Sequence, residues 1–273
     1  MILKAYRFLN LISIDVACGA MVGACFFAAI LKTQLRSYGI ASLGITVWMI
    51  YTLDHLLDSR RLKNEASTYR HQFHQTYFNA LRVMLIIAGI INIYMILHVR
   101  RSVFGWGLVL AGAVVLYLLL QRWLSPFKEA VGAILYSTGV LLPALSLQMK
   151  SVTTPIIFLI VIFTLTALIN LVLFSMFDVE NDLKQIQSSF VTSFGKSTTR
   201  KILFFLFSAQ AIFSLTLIIH SDYRIEALIL ILMNFVLLLL YLSPSKSKND
   251  EWYRLLGDTI FLFPLPYLIL HAW

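Results

Sequence analysis

An all-α, polytopic membrane fold is what this sequence predicts, and three observations predict it. Hydrophobic residues make up 59% of the 273 positions and charged residues only 13%, with a mean hydropathy of +0.82, too apolar for a domain that must keep a wet surface. The apolar residues gather into runs of about 20, the length that spans a hydrocarbon core of about 30 Å. The basic residues fall in the breaks between those runs.

Taken in order, the runs are 8–31, 38–57, 77–97, 102–119, 127–147, 154–177, 202–219, 225–242 and 255–270, about nine transmembrane helices in all. The first follows Lys4 and Arg7 and has no clear small-x-small cleavage site, so it reads as a retained helix rather than a signal peptide. It holds both cysteines, Cys18 and Cys25, seven residues apart; that is about 10 Å along a helix, too far for a bridge. The third run tolerates Arg82, the fourth starts after Arg100 and Arg101, and the fifth opens on Pro126-Phe127-Lys128. The sixth carries Asn170 and the ninth Asp258, both expected to hydrogen-bond between helices. Asp15, two turns into the first run, is costly in lipid and is expected to face the interior, toward an acceptor or a neighbouring helix. Uniformly apolar runs of this length suit helices, which satisfy their own backbone in lipid, and not barrel strands. No stretch is polar for long enough to fold outside the bilayer, so residues 1–273 read as a single transmembrane domain.

Net charge of +9 does not point to nucleic acid, because the basic residues lie in helix breaks and form no stripe. With the N-terminus inside, the cytoplasmic set is Lys4, Arg7, Arg60, Arg61, Lys63, Arg70, Arg122, Lys128, Lys184, Lys196, Arg200, Lys201, Lys246, Lys248 and Arg254, against Lys32, Arg36, Arg100, Arg101, Lys150 and Arg224 opposite. The positive-inside rule therefore places the N-terminus and the two longest breaks, 58–76 and 178–201, in the cytoplasm, with the protein in the cytoplasmic membrane.

Both long breaks begin with paired carboxylates. The second run ends Tyr51-Thr-Leu-Asp54-His55-Leu-Leu-Asp58, and the sixth ends Phe177-Asp178-Val-Glu-Asn-Asp182-Leu-Lys184. Each pair stands at i and i+4, one face of a last helical turn, and both recur at an offset of 124 residues, since 178 − 54 = 182 − 58 = 124. This predicts two pseudo-repeated four-helix units, roughly 8–120 and 127–242, with a ninth helix at 255–270. Negative charge is unwelcome at a helix C-terminus, so each pair needs a cation. Arg60, Arg61 and Lys184 could serve as ordinary interfacial counter-charges, whereas paired hard oxygens suit Mg²⁺ shared with phosphate oxygens. His55 turns to another face and is not expected to ligate.

Asp54-x-x-x-Asp58 and Asp178-x-x-x-Asp182 on nine helices in this order resemble the UbiA-type intramembrane prenyltransferases. Lys184, Ser188 or Ser189, and Phe194-Gly195 extend the likeness after the second pair; Thr68-Tyr69-Arg70 and Pro126-Phe127-Lys128 are weaker echoes. The position four before Asp54, where the family carries asparagine, is Ile50. The resemblance implies Mg²⁺-dependent transfer of a prenyl group from a polyprenyl diphosphate to a small-molecule or lipid acceptor. Asp54, Asp58, Asp178 and Asp182 would be the catalytic metal ligands, and Lys184, Arg61, Arg70 and Lys128 the diphosphate ligands. A terpene cyclase or an inactive relative fits the same fold. An ion-coupled transporter fits poorly, since its acids belong at midplane depth beside matched Gly or Pro breaks.

Overall fold

The computed structural model describes residues 2–61, 69–121, 123–149, 151–185, 188–243 and 251–271. Lys63, Thr68, Arg122, Lys150, Lys246, Lys248 and the side chain of Arg61 lie outside the described residues. The chain forms α1 (Ile2–Leu11), α2 (Ile14–Ile30), α3 (Ser37–Arg61), α4 (Tyr69–Thr76), α5 (Phe78–Ile96), α6 (Arg101–Leu120), α7 (Lys128–Leu145), α8 (Thr154–Lys184), α9 (Phe190–His220), α10 (Arg224–Leu242), α11 (Trp252–Thr259), a 3₁₀ turn (Ile260–Leu262) and α12 (Leu265–His271). Among the described residues seven helices are long and apolar enough to cross a membrane, or eight if α1 and α2 form one bent span. Lys128, Glu129, Ser137, Thr138 and Pro143 make α7 more polar than these. The protein is an integral membrane protein, and the expected count of about nine is an approximate one.

The first run is not one helix. Its two pieces meet at 84°, with Ser13 in the left-handed region at φ 59°. The break releases backbone carbonyls, which a membrane interior tolerates only when other groups satisfy them. Trp48 Nε1 donates to the Ile12 carbonyl at 3.0 Å, and Arg70 Nη2 donates to the Asn10 carbonyl at 3.2 Å. The last run is also interrupted, where Pro264 and Pro266 cannot continue the hydrogen-bond ladder of α11.

The packed core gathers around α8, against α7, α9 and α10, with Phe26, Phe27, Leu159, Ile162, Phe163 and Leu230 almost fully buried. Lipid tails are as apolar as these side chains, so cohesion comes from close packing and interhelical hydrogen bonds. Gln210 of α9 donates to Thr166 Oγ1 of α8 at 2.6 Å, and Asn234 of α10 donates to the same oxygen at 3.3 Å. Asn170 departs from expectation: its Oδ1 is buried without a partner, pressed against Gly257 of α11.

Candidate active site

The polar ends of α3 and α8 extend the apolar runs as continuous helix, which carries both aspartate pairs in final turns. Asp54 and Asp58 are half-buried on α3, and Asp178 and Asp182 half-buried on α8. The two ends are linked through groups between them. Gln121, at the end of α6, donates to Asp54 Oδ1 at 3.3 Å. Tyr117 of α6 lies in the electrostatic field of Asp54, Asp58 and Glu129, and Glu129 in that of Lys128 and Asp182. The helix from the other long break closes the group: His71 of α4 feels Arg254, Arg70 and Asp178. The ends of α3, α6 and α8 and the starts of α7, α9 and α11 therefore gather at one end of the bundle.

Asp178 has both oxygens engaged. Tyr253 Oη donates to Oδ1 at 2.6 Å, and Arg254 Nη2 donates to Oδ2 at 2.6 Å in an ion pair. Arg254 Nε also donates to Tyr253 Oη at 3.1 Å, and the guanidinium stacks over Phe174. Asp182 is hydrogen-bonded by the Ser189 side chain and feels Asp178, Lys128 and Arg254. Glu129 fixes the start of α9, accepting from the Phe190 N–H at 2.9 Å, while Ser175 accepts from the Val191 N–H at 3.1 Å.

The cations expected to answer these acids are differently placed. Lys184 is exposed, and the counter-charge of Asp178 comes instead from Arg254, 76 residues away. Lys128 is half-buried and within the field of Asp182. Arg70 is buried in a separate polar cluster: it donates to Asn10 Oδ1 at 2.9 Å, and its Nη1 lies 3.3 Å from His55 Nε2. Asn10 Nδ2 in turn donates to Asp15 Oδ2 at 2.6 Å and to Asp258 Oδ2 at 2.8 Å, so both deep carboxylates make interhelical contacts. Burial, with the charges of Arg254 and Arg70, pushes His71 down to about 4, and burial lowers His74 as well. Both imidazoles are neutral at physiological pH.

From Asp54 an apolar cavity of about 450 Å³ runs between α3, α5, α6 and α7, lined by Tyr51, Asn92, Gly107, Tyr117 and Gly139 among others. Its lining on α3 extends from Asp54 to Gly39, a helical distance of about 22 Å at 1.5 Å per residue. Ile50 is part of that wall. The polar groups at its far end satisfy one another: Ser42 donates to Asn92 Oδ1 at 2.7 Å, and Asn92 Nδ2 donates to Thr46 Oγ1 at 2.8 Å. A long apolar cavity with one carboxylate at its mouth fits an amphiphile with an anionic or metal-bound head.

Among the described residues no three His, Cys, Asp or Glu side chains form a group that could hold a metal ion. A Mg²⁺ held by one or two carboxylates and completed by water and phosphate needs no such group, and the four half-buried aspartates are donors of that kind. Sequence alone marks neither Tyr253 nor Arg254 as a site residue; Arg254 reads there only as a topology charge. The one signal available was the demand for a cation beside each acidic helix end.

No protein-family model matches the chain, and no curated protein matches it. Solved structures do match. The apo structure of a UbiA homologue from Aeropyrum pernix K1 aligns with a TM-score of 0.71 and 11% identity, over 95% of this chain and 99% of that one. A UbiA homologue from Archaeoglobus fulgidus bound to DMAPP and Mg²⁺ aligns at 0.66 and 13% identity, over 96% and 99%. A structure of digeranylgeranylglyceryl phosphate synthase in membranes aligns at 0.56 and 17% identity, over 96% and 97%. At such identities the likeness is one of fold: the chain has the fold of the UbiA-type intramembrane prenyltransferases.

Proposed function

We propose that the protein is a prenyltransferase that moves a prenyl group from a polyprenyl diphosphate to an acceptor within the membrane. The observation that carries this reading is the position of two matched aspartate pairs at one end of the bundle, linked through Tyr117 and Glu129, beside a long apolar cavity that Asp54 helps to line. Asp54, Asp58, Asp178 and Asp182 would hold Mg²⁺, the cofactor bound with substrate in the Archaeoglobus fulgidus homologue. When bound, the metal supplies Lewis-acid stabilisation of the leaving diphosphate.

The chain's own residues do the remaining work. The apolar wall from Ile50 to Gly39 takes the prenyl tail out of water and fixes the head beside Asp54. Lys128, already in the field of Asp182, is the best placed of the cations to bind diphosphate oxygens, with Lys184 and Arg61 at the ends of α8 and α3. Arg70 contributes by bracing the break between α1 and α2, where its guanidinium is engaged. Tyr51, Tyr117 and Tyr136 border the cavity, where aromatic faces stabilise positive charge developing on the allylic carbon. An apolar enclosure also keeps water from that carbon. The offset of 124 between the pairs supports descent from a duplicated four-helix unit, and the excess of basic residues on the aspartate side supports a cytoplasmic active site in the cytoplasmic membrane.

Purified protein supplied with prenyl diphosphates, Mg²⁺ and a membrane lipid extract as acceptor source is expected to release pyrophosphate and form prenylated lipid. Pyrophosphate release with only a cyclic hydrocarbon product would move the assignment to a cyclase. No release with any prenyl diphosphate would remove the enzyme reading.

A further inference from the structure

Asp178 presents a conflict that its proposed role must resolve. A carboxylate has about four lone-pair sites, so a donor on each oxygen leaves room for a metal, but a cation already paired with the group opposes the arrival of a second. Here Tyr253 donates to one oxygen and Arg254 to the other, each at 2.6 Å. The Arg254 contact is a charge-assisted hydrogen bond, with side chains only 16% and 14% exposed, and such contacts are about twice as strong as neutral ones. A divalent cation approaching Asp178 therefore meets a guanidinium already placed on the ligand it needs.

The surroundings show where that guanidinium can go. Arg70 and Arg254 each sit in a buried setting and repel one another electrostatically, and His71 is held neutral between them. Lys128 and Arg254 both act on Asp182 from opposite neighbours. Once Asp178 turns to a metal, Arg254 loses its ion-pair partner, and a polyanion would replace it. The planar head of Arg254 lies over the rings of Phe174 and Tyr253, aromatic faces along which a guanidinium can shift while keeping contact.

We propose that Arg254 is a diphosphate-binding residue that competes with the metal for Asp178, so that metal arrival at the carboxylate and guanidinium transfer to the diphosphate are one exchange. Tyr253 remains on the other oxygen and keeps the carboxylate aimed. The exchange rests on the prenyltransferase reading above and adds a residue on the last membrane segment to the machinery. It makes metal binding weak in isolation and strong together with diphosphate, which spares the aspartates from holding a cation when no substrate head is in place.

The test uses the full-length protein in detergent, with Mn²⁺ as the spectroscopic probe of the metal site, titrated alone and with inorganic pyrophosphate. Arg254→Gln removes the competitor, so Mn²⁺ alone is expected to bind about 3- to 10-fold more tightly, whereas pyrophosphate affinity in saturating Mn²⁺ is expected to fall about tenfold. Opposite shifts of that kind have no counterpart in a purely structural ion pair, which would lower both affinities or neither. Arg254→Lys keeps the charge and loses the fork, and is expected to give the same opposite shifts as the glutamine variant, Mn²⁺ tighter and pyrophosphate weaker, at about 2- to 3-fold each; it serves if the glutamine variant does not fold. Unchanged or weaker Mn²⁺ binding in these variants, or wild-type pyrophosphate affinity, overturns the role of Arg254. If Asp178→Asn binds Mn²⁺ and pyrophosphate like wild type, the metal site itself is wrong and the exchange fails with it; if only the Arg254 variants are unmoved, the exchange fails alone.

Discussion

Asp54 and Asp58 close a helix that borders open space, whereas Asp178 and Asp182 close one that is packed on nearly every side. Of the apolar window of α3, 28% is buried within the protein, against 56% of that of α8. In the first half Asp54 lies at the mouth of a cavity and receives an amide hydrogen bond from Gln121. In the second Asp178 is gripped by a phenol and a guanidinium. One carboxylate spacing thus serves two settings: a helix end beside a cavity with room for an apolar chain, and a helix end packed against groups that hold its acid in place. Lipid would solvate the outer faces of α5 and α6, so these cavity walls need little internal packing to persist.

The sharpest way to break this comparison is to neutralise the acids one at a time. Asp54→Asn and Asp178→Asn are each expected to lower Mg²⁺-dependent turnover at least about 10²-fold, as removal of a transition-state stabiliser does. Their stabilities should part. Asp178→Asn leaves the buried Arg254 without its counter-charge and is expected to cost about 1–3 kcal/mol, less than a fully buried pair would because both partners keep some solvent contact. Asp54→Asn keeps an oxygen for the Gln121 hydrogen bond and is expected to cost less stability in thermal unfolding than Asp178→Asn. Equal stability losses would mean that the halves do not differ in the way described.

Two glycines sharpen the contrast at smaller size. A Cβ on Gly257 would lie 2.5 Å from Asn170 Oδ1 and 2.6 Å from Phe174 Cε1, so Gly257→Ala is expected to destabilise the protein by about 1–3 kcal/mol through overpacking. A Cβ on Gly107 meets nothing within 4 Å, and this residue lines the cavity. Gly107→Phe should leave stability intact and reduce turnover of long prenyl diphosphates about tenfold more than that of short ones, since each lost buried methylene is worth about 0.8 kcal/mol. Comparing chain-length profiles of the two proteins checks this.

The smallest effect belongs to α4. His71, ordinarily near 6.5, is pushed down to about 4 by burial, so the unfolded chain binds more protons than the folded one between those values. Its contribution to stability is complete above pH 6.5 and is lost as pH falls toward 4. Acidification from pH 7 to 5 should cost on the order of 1 kcal/mol at this residue, and His71→Gln should remove that part of the slope.

Much of this was legible in the sequence because lipid simplifies the reading. Hydropathy located the membrane segments, and the i, i+4 aspartates stood out because charge is rare beside apolar runs. What escaped was anything set by contacts between distant segments. The break at Ser13 is invisible to hydropathy, since Leu11, Ile12 and Ile14 are as apolar as the helix interior; it becomes clear only when Trp48 and Arg70 are seen on the released carbonyls. Arg254 was one basic residue among fifteen on its side, and nothing local pairs it with an acid 76 positions earlier. The long breaks were read as connections although α4 and the ends of α3 and α8 are helical, because a polarity pattern does not distinguish a short polar helix from a loop.

The bend between α1 and α2 carries a consequence for how the protein is made. Asn10 and Asp15 leave the ribosome early and pair with each other, yet the second carboxylate that Asn10 holds, Asp258, follows it by 248 residues, and Tyr6 is likewise joined to Thr259. The opening segment therefore enters the bilayer with Asp15 held only by its own neighbours Asn10 and Val16, and its contacts with the closing segment wait for translation to finish. Truncation near the C-terminus would be felt first at the opposite end of the polypeptide.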